Sequence, residues 1–363
     1  MNPDNSLASP VTKPALPGWI ADQVAVLLAQ RGHAWLLSGP SGLGQYRLAF
    51  EMAAAWLCEQ PSGEGACGSC ESCHAILVRT HADLCVLMPE TVMLDLGWPL
   101  AEKAQSDIDD KKRKASKEIR IDAMRDAIEF SQRTSSRGRG KVVLVYPAER
   151  MNAVTANALL KTLEEPPGDV KFVLASESAH QLLPTIRSRC LGHTMQWPTA
   201  DASLAWLESQ GITKEDGQIL LRATGARPDD AMQFMASGRD PASWALLPKA
   251  MQRGDARLLK DWSPAQVIDA LHRLCHDLMA IQVGAAPRFF DAQVLPKPLT
   301  APRSMAGLPD QPATRHAQGT ATTLSDWSKS LARATRTMEH SYNAGLMMEA
   351  LVNEAKNALN SRY

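Results

Sequence analysis

The sequence has no charge of either sign to spare. Lys and Arg together number 39, as do Asp and Glu, so the molecule as a whole exerts no strong nonspecific pull on nucleic acid or anionic lipid. Any such contact must come from a local basic face. No apolar run is long enough to span a bilayer, which argues against a membrane helix. Nor does a secretory signal show: residues 1–19, MNPDNSLASPVTKPALPGW, are polar and proline-rich, and the chain is expected to be cytoplasmic. No internal repeat is found. Seven cysteines, an odd number in a chain without such a signal, argue against a disulfide scaffold. At 363 residues the chain is long enough for two or three domains, each with its own core.

The absence with the largest consequence is local. The stretch Gly39 to Leu48, GPSGLGQYRL, follows the phosphate-binding pattern G-x-x-x-x-G-K-[ST] at both glycines but has Gln45 where the lysine belongs and Tyr46 where a small hydroxyl belongs. Gly39, Gly42 and Gly44 still allow backbone amides to face an anion at the start of the next helix. The cation for the β and γ phosphates and the hydroxyl for magnesium are lacking. One charged hydrogen bond to a phosphate is worth roughly 1.5–3 kcal/mol, so ATP is expected to bind weakly or not at all. A second part of a hydrolytic site is lacking as well. The strand Val142 to Val145 should end in the acidic pair that holds magnesium and activates water. It runs instead into Tyr146-Pro147-Ala148-Glu149, with the carboxylate two residues late.

Around these motifs strands alternate with helices. Pro17 to Gln30 reads as a helix packed by Ile20, Val24 and Leu27 or Leu28, Ala34 to Ser38 as a short buried strand, Arg47 to Leu57 as a helix, and Leu84 to Met88 as a strand. Residues 89–118 lose periodicity and end in the mixed-charge run 101–118, which reads as a solvated loop or mobile insert. Ile121, Met124 and Ile128 recur at helical spacing, Phe172 to Ala175 reads as a strand, and Asn152 caps a helix that runs through Glu164 and stops at Pro166-Pro167. The alternation argues for an α/β fold, a parallel sheet with helices on both faces. Past Trp197-Pro198 the register changes. Residues 199–240 read as a small helical module and 241–363 as almost entirely helical, broken by a proline-rich segment over 284–320.

Four cysteines cluster as C-x8-C-x2-C-x2-C: Cys58, Cys67, Cys70 and Cys73. Four thiolates in one short turn can converge tetrahedrally on zinc and leave no open position for catalysis, so the metal is read as structural. An iron–sulfur cluster, also held by four cysteines, is the competitor. His74 is a weaker ligand candidate. Cys85, Cys190 and Cys275 read as free buried thiols. His272 and His276 have the i, i+4 spacing of a metal pair without the accompanying Glu, and read as packed or solvated. The segment LPTIRSRC, residues 183–190, places Arg187 and Arg189 near the end of the sheet region. An arginine there either pairs with a carboxylate or reaches a neighbour's γ-phosphate. The basic turn RTSSRGRGK, Arg133 to Lys141, reads as an exposed loop first and a phosphate contact second.

Taken in order, GPSGLG, the cysteine insert at 58–73, NALLKTLEEPP at 157–167, FVLASES and TIRSRC resemble the clamp-loader subunits of bacterial DNA polymerase III, members of the AAA+ ATPase class. Gln45, Tyr46, Tyr146 and Pro147 favour the non-hydrolysing, delta-prime branch over its tau/gamma motor branch. The motifs cover about residues 17–230. The resemblance implies a RecA-like domain with a zinc module over 1–198, a helical lid over 199–240 and a helical collar over 241–363 that joins a five-membered ring. It implies tau/gamma and delta subunits as partners, with the sliding clamp and primed DNA reached through the complex. Arg189 matches the arginine that acts in trans on a neighbour's ATP; Ser188 and Cys190 complete its motif, and Arg227 falls where the lid's sensor arginine is expected. No ATPase or polymerase activity is expected of the isolated chain, a component of a DNA polymerase holoenzyme. Two readings compete: an ATP-hydrolysing tau/gamma-like motor with unusual loop residues, and a zinc-dependent DNA-binding module resting on the basic turn.

Overall fold

The structure, a computed structural model, describes residues 16–296, 312–337 and 344–360. Five parallel strands, β1 (Ala34–Ser38), β2 (Leu84–Leu87), β3 (Lys141–Val145), β4 (Val170–Ser176) and β5 (Leu191–Thr194), form one sheet in the order β2-β3-β4-β1-β5. Successive side chains leave opposite faces, and both faces are buried. Trp35 and Leu37 of β1 join Leu144, Val173 and Ala175 on one side; Ala34 and Leu36 join Val143, Val145, Phe172 and Leu174 on the other. Continuous apolar strands of this kind are what a parallel sheet covered twice requires.

The first face is covered by α1 (Gly18–Leu28) and α2 (Gln45–Leu57), through Ile20, Val24, Leu27, Leu48 and Met52. Helix α3 (Glu71–Leu77) follows the cysteine turn. The run 101–118, expected to be a solvated loop or mobile insert, carries a helix instead: residues 89–118 as a whole form α4 (Glu90–Asp95) and α5 (Glu102–Asp109). Two interactions order it. Trp98 is buried against the first-face core, and Glu90 accepts from Arg113 Nη2 at 2.7 Å and from the Ser116 N–H at 2.8 Å. Both helices are too short for their periodicity to stand out. The second face is covered by α6 (Ile121–Gln132) and α7 (Ala153–Glu164), the latter capped by Asn152 accepting from the Thr155 N–H, as expected. A single turn, α8 (Pro184–Arg187), then leads into β5.

The basic turn between α6 and β3 is less free than its composition implies. Asp83, fully buried before β2, accepts from Ser135 Oγ, the Ser136 and Arg137 N–H groups and Lys141 Nζ at 2.8–3.1 Å. Burial alone would raise this carboxyl. The backbone donors of Ser136 and Arg137, with Lys141 and Ser135, outweigh it and hold the group below the usual carboxylate range. Asp83 therefore contributes stability that is full above the ordinary carboxylate range and lost as pH falls through its lowered value. Asp83→Ala, which leaves the buried Lys141 without its counter-ion, is expected to cost about 3–5 kcal/mol. Urea unfolding at neutral pH should show the full loss, and the difference from the unmodified chain should shrink in acid.

By internal contacts the chain divides between Ala202 and Ser203, near the start of α9 (Ala200–Ser209). Beyond it lie α10 (Lys214–Ala223), α11 (Pro228–Ala236), α12 (Pro241–Arg253), α13 (Pro264–Gln282), α14 (Pro312–Thr337) and α15 (Ala344–Asn360). The helices on either side of residue 240 share a core. Trp244 meets Phe234 edge-on at 5.4 Å and stacks on Phe290 at 4.6 Å. Phe290 is fixed by Asp277 of α13, whose buried carboxylate accepts the N–H groups of Arg288, Phe289 and Phe290 at 2.7–2.8 Å. The proline-rich segment thus begins as packed structure, and its residues 297–311 lie outside the described residues. Among the described residues no helix is long and apolar enough to cross a membrane.

Candidate functional site

The glycine loop leaves β1 at its C-terminal end and opens α2. Gly42 and Gly44 have φ of 78° and 89°, left-handed conformations that a side chain strains, which is why the loop keeps its glycines. What fills the loop is its own side chain. Gln45 is 2% exposed, and its Nε2 donates to the carbonyls of Gly39 at 2.8 Å and Pro40 at 2.6 Å. A lysine at this position in an ATPase points its ammonium at the phosphates; the Gln45 amide turns inward and ties the loop to itself.

The positions where a magnesium hydroxyl and an acidic pair were expected carry aromatic rings that pack together. Tyr46 lies 5.4 Å from Tyr146 and 5.9 Å from Phe50, and its hydroxyl accepts from Trp98 Nε1 at 2.8 Å. Burial pushes the Tyr46 phenol up. Tyr146 donates to Glu177 Oε1 at 2.7 Å. Glu149, the displaced carboxylate, accepts the Glu177 N–H at 3.1 and 3.3 Å, so it is committed to the backbone after β4.

The four cysteines predicted as ligands come together. Their sulfurs all lie within 4.8 Å of one another, with Cys58–Cys70 at 3.8 Å, Cys67–Cys73 at 3.9 Å and Cys58–Cys73 at 3.7 Å. A tetrahedral ion with bonds of about 2.3 Å sets its ligand sulfurs about 3.8 Å apart. The donor set therefore fits a single metal ion. Backbone N–H groups support the sulfurs: Gln60 and Cys67 donate to Cys58 at 3.4 and 3.3 Å, and Cys73 donates to Cys70 at 3.4 Å. N–H groups of Ser69 and Cys70 lower the Cys67 thiol to about 6, whereas burial pushes Cys73 up. Behind the ligands, Glu59 accepts from the Ser72 N–H and Oγ and from Arg137 Nη1 at 2.9–3.2 Å. Arg137 is anchored through its own N–H to Asp83, so the cysteine turn is tied to the sheet edge.

His74 is exposed and outside the sulfur cluster. Of the other cysteines, Cys275 is buried as expected, while Cys85 and Cys190 are only half-buried; burial pushes all three thiols up, to about 11 for Cys85 and Cys190 and about 12 for Cys275, which favours the protonated form. His272 and His276 do not form a metal pair: one faces Thr335 Oγ1 at 3.4 Å, the other Asp277 at 3.0 Å.

Arg189 follows α8. Its Nε donates to Glu164 Oε1 at 2.6 Å, its Nη2 donates to the same carboxylate, and its Nη1 reaches the Thr185 carbonyl at 2.9 Å. Both side chains of the pair are partly exposed, 31% and 48%. The motif in the sequence marks the arginine but not its partner Glu164, which closes the helix capped by Asn152. Arg187 is exposed. Arg227 is held by Asp230 at 3.1 Å and by the Thr224 carbonyl at 2.7 Å.

A parallel sheet with a glycine loop after β1 and helices on both faces defines a RecA-like α/β protein with a phosphate-type loop, here with the side chains of Gln45 and Tyr46 turned to packing. Comparison with known proteins narrows the class. A family model described as DNA polymerase III, delta subunit, matches residues 26–198. The DNA polymerase III subunit delta' of Escherichia coli is 30% identical over 267 residues, 69% of this chain and 73% of that one. The chain belongs to the family of DNA polymerase III delta' subunits. The delta' subunit of Pseudomonas aeruginosa is 40% identical over 213 residues, and the chain spans 58% of the length of that relative. The DNA polymerase III subunit tau of Escherichia coli is 33% identical over 229 residues, 62% of this chain but 30% of that longer one.

Proposed function

We propose that the chain is a non-hydrolysing clamp-loader subunit that assembles with tau/gamma and delta subunits in the cytoplasm and reaches the sliding clamp and primed DNA through that assembly. The observation that carries this reading is the inward turn of Gln45 onto the Gly39 and Pro40 carbonyls. A side chain hydrogen-bonded into the loop cannot also neutralise a phosphate, and Tyr46 and Tyr146 leave no ligand for magnesium. The loop keeps its shape for the fold while catalysis resides in neighbouring subunits. The same geometry speaks against the tau/gamma-like motor.

The finer parts of the reading are a three-domain division at 1–198, 199–240 and 241–363, a structural zinc on Cys58, Cys67, Cys70 and Cys73, and Arg189 acting in trans on a neighbour's ATP. Sulfur spacings near 3.8 Å support one ion over an iron–sulfur cluster, which spreads its cysteine ligands around several metal atoms. The zinc, with four thiolates and no open position, would brace the turn and supply no chemistry.

Purified chain, freed of contaminating ATPases, should turn over no ATP. Gln45→Lys should not create activity, because Tyr46, Tyr146 and Pro147 still offer no metal ligand. Steady hydrolysis by the unmodified chain in a coupled phosphate-release assay overturns the reading and puts the motor in its place.

A further inference from the structure

The basic turn carries four cations, and the fold absorbs three. Arg133 pairs with Glu129 at 2.6 Å, Arg137 with Glu59 at 2.9 Å, and Lys141 is buried on Asp83. Arg139 is exposed and lines a cavity of about 380 Å³ together with Leu28, Trp56, Pro61, Asp169 and Lys171. This cavity lies at the N-terminal ends of β3 and β4, the edge of the sheet opposite the glycine loop, between the basic turn and the cysteine turn. Gly140 fixes the approach: it has φ of 78°, and a Cβ there would meet the Asp169 carbonyl at 2.4 Å.

We propose that this cavity binds a nucleotide unit of single-stranded DNA, with the base against Trp56 and the phosphate on Arg139 and Lys171. The half-buried Trp56 packs on Trp35 at 4.7 Å, which holds its ring rigid as a stacking surface. Lys171 sits 5.8 Å from that ring and 3.0 Å from Asp169. Two cations against one carboxylate leave the site net positive, and the volume suits one nucleotide. A cation beside an aromatic face, here Lys171 over Trp56, is a pairing that single-strand binding uses, sequence-tolerant because every base has a stacking face. Asp169 limits the site to weak binding of one unit, in keeping with the neutral charge of the whole chain.

The test is fluorescence anisotropy of a labelled ten-nucleotide oligo(dT) against the full chain at low salt, with dTMP added as a competitor and an Asp/Glu-rich peptide titrated separately. Saturable oligonucleotide binding is expected, weakened about tenfold or more by Arg139→Glu, with the log–log salt slope reduced by about 0.7 per lost contact. Trp56→Leu, checked for native circular dichroism, should weaken binding about fivefold or more. Displacement by millimolar dTMP assigns the site to a single nucleotide unit, and retention of the oligonucleotide assigns it to a strand; both support the proposal. No oligonucleotide or dTMP binding, binding unchanged by Arg139→Glu, or binding of the acidic peptide alone overturns it.

Discussion

Stripping the metal from the cysteine cluster, by chelation or by Cys67→Ser or Cys70→Ser, is expected to melt the turn from Cys58 to Cys73 and to destabilise the whole sheet domain. A closed thiolate site contributes folding free energy directly, about 10–16 kcal/mol of apparent binding free energy for structural zinc in small peptides. The turn has little else to hold it: residues 59–64 are exposed. The loss should spread, because α2 and α3 share a small core in which Leu57 and Ile76 pack with Ala53, Ala54 and Val142, and because Arg137 joins Glu59 to the turn held by Asp83. We expect about 5 kcal/mol of destabilisation and a fall in melting midpoint of roughly 10–20 °C. Metal analysis should give one zinc per chain, released in step with the melt. A purified chain with normal stability and no metal would contradict this.

Arg189→Ala is expected to leave metal content, folding and assembly intact while lowering the ATPase of a complex formed with tau/gamma subunits. In the chain by itself Arg189 is bound to Glu164 and the Thr185 carbonyl, so acting on a neighbour requires an exchange of partners. The magnitudes allow it. A half-exposed ion pair is worth about 0–1 kcal/mol, whereas a charged hydrogen bond to phosphate is worth about 1.5–3 kcal/mol. An arginine supplied across an interface contributes about a thousandfold or more at its own site, diluted in a ring where other sites continue to turn over. Lysine should rescue poorly, because it lacks the planar fork. Single-turnover hydrolysis in the mixed complex is the measurement. An unchanged rate with Arg189→Ala would assign the residue to the Glu164 pair alone.

What could be read from the sequence was what depends on near neighbours. The glycine loop, the cysteine spacing, the Asn152 cap and the apolar strands β1, β3 and β4 each declare themselves within a stretch no longer than the 16 residues from Cys58 to Cys73. Pairings across long stretches of chain could not be read. Glu164 meets Arg189 across 25 positions and Asp83 meets Lys141 across 58, and neither spacing follows any local period. β5 escaped because its residues LGHT are largely exposed and pair only with β1, so no apolar alternation marks it. The missing lysine was plain, but the inward turn of Gln45 was not, since it depends on where the loop carbonyls point. In 89–118 the helices were too short to show a period, and the roles of Glu90 and Trp98 rest on contacts with Arg113, Ser116 and Tyr46 far along the chain.

The assignment as a non-hydrolysing clamp-loader subunit is tested most directly by reconstitution. The chain is mixed with tau/gamma and delta subunits of a bacterial DNA polymerase III, and loading of a labelled sliding clamp onto primed DNA is followed with and without it. A stable complex containing the chain, loading that depends on its presence, and ATP turnover abolished by disabling the tau/gamma loops alone are the expected results. Failure to co-elute with those subunits, or turnover that persists when only this chain retains an intact glycine loop, would contradict the assignment.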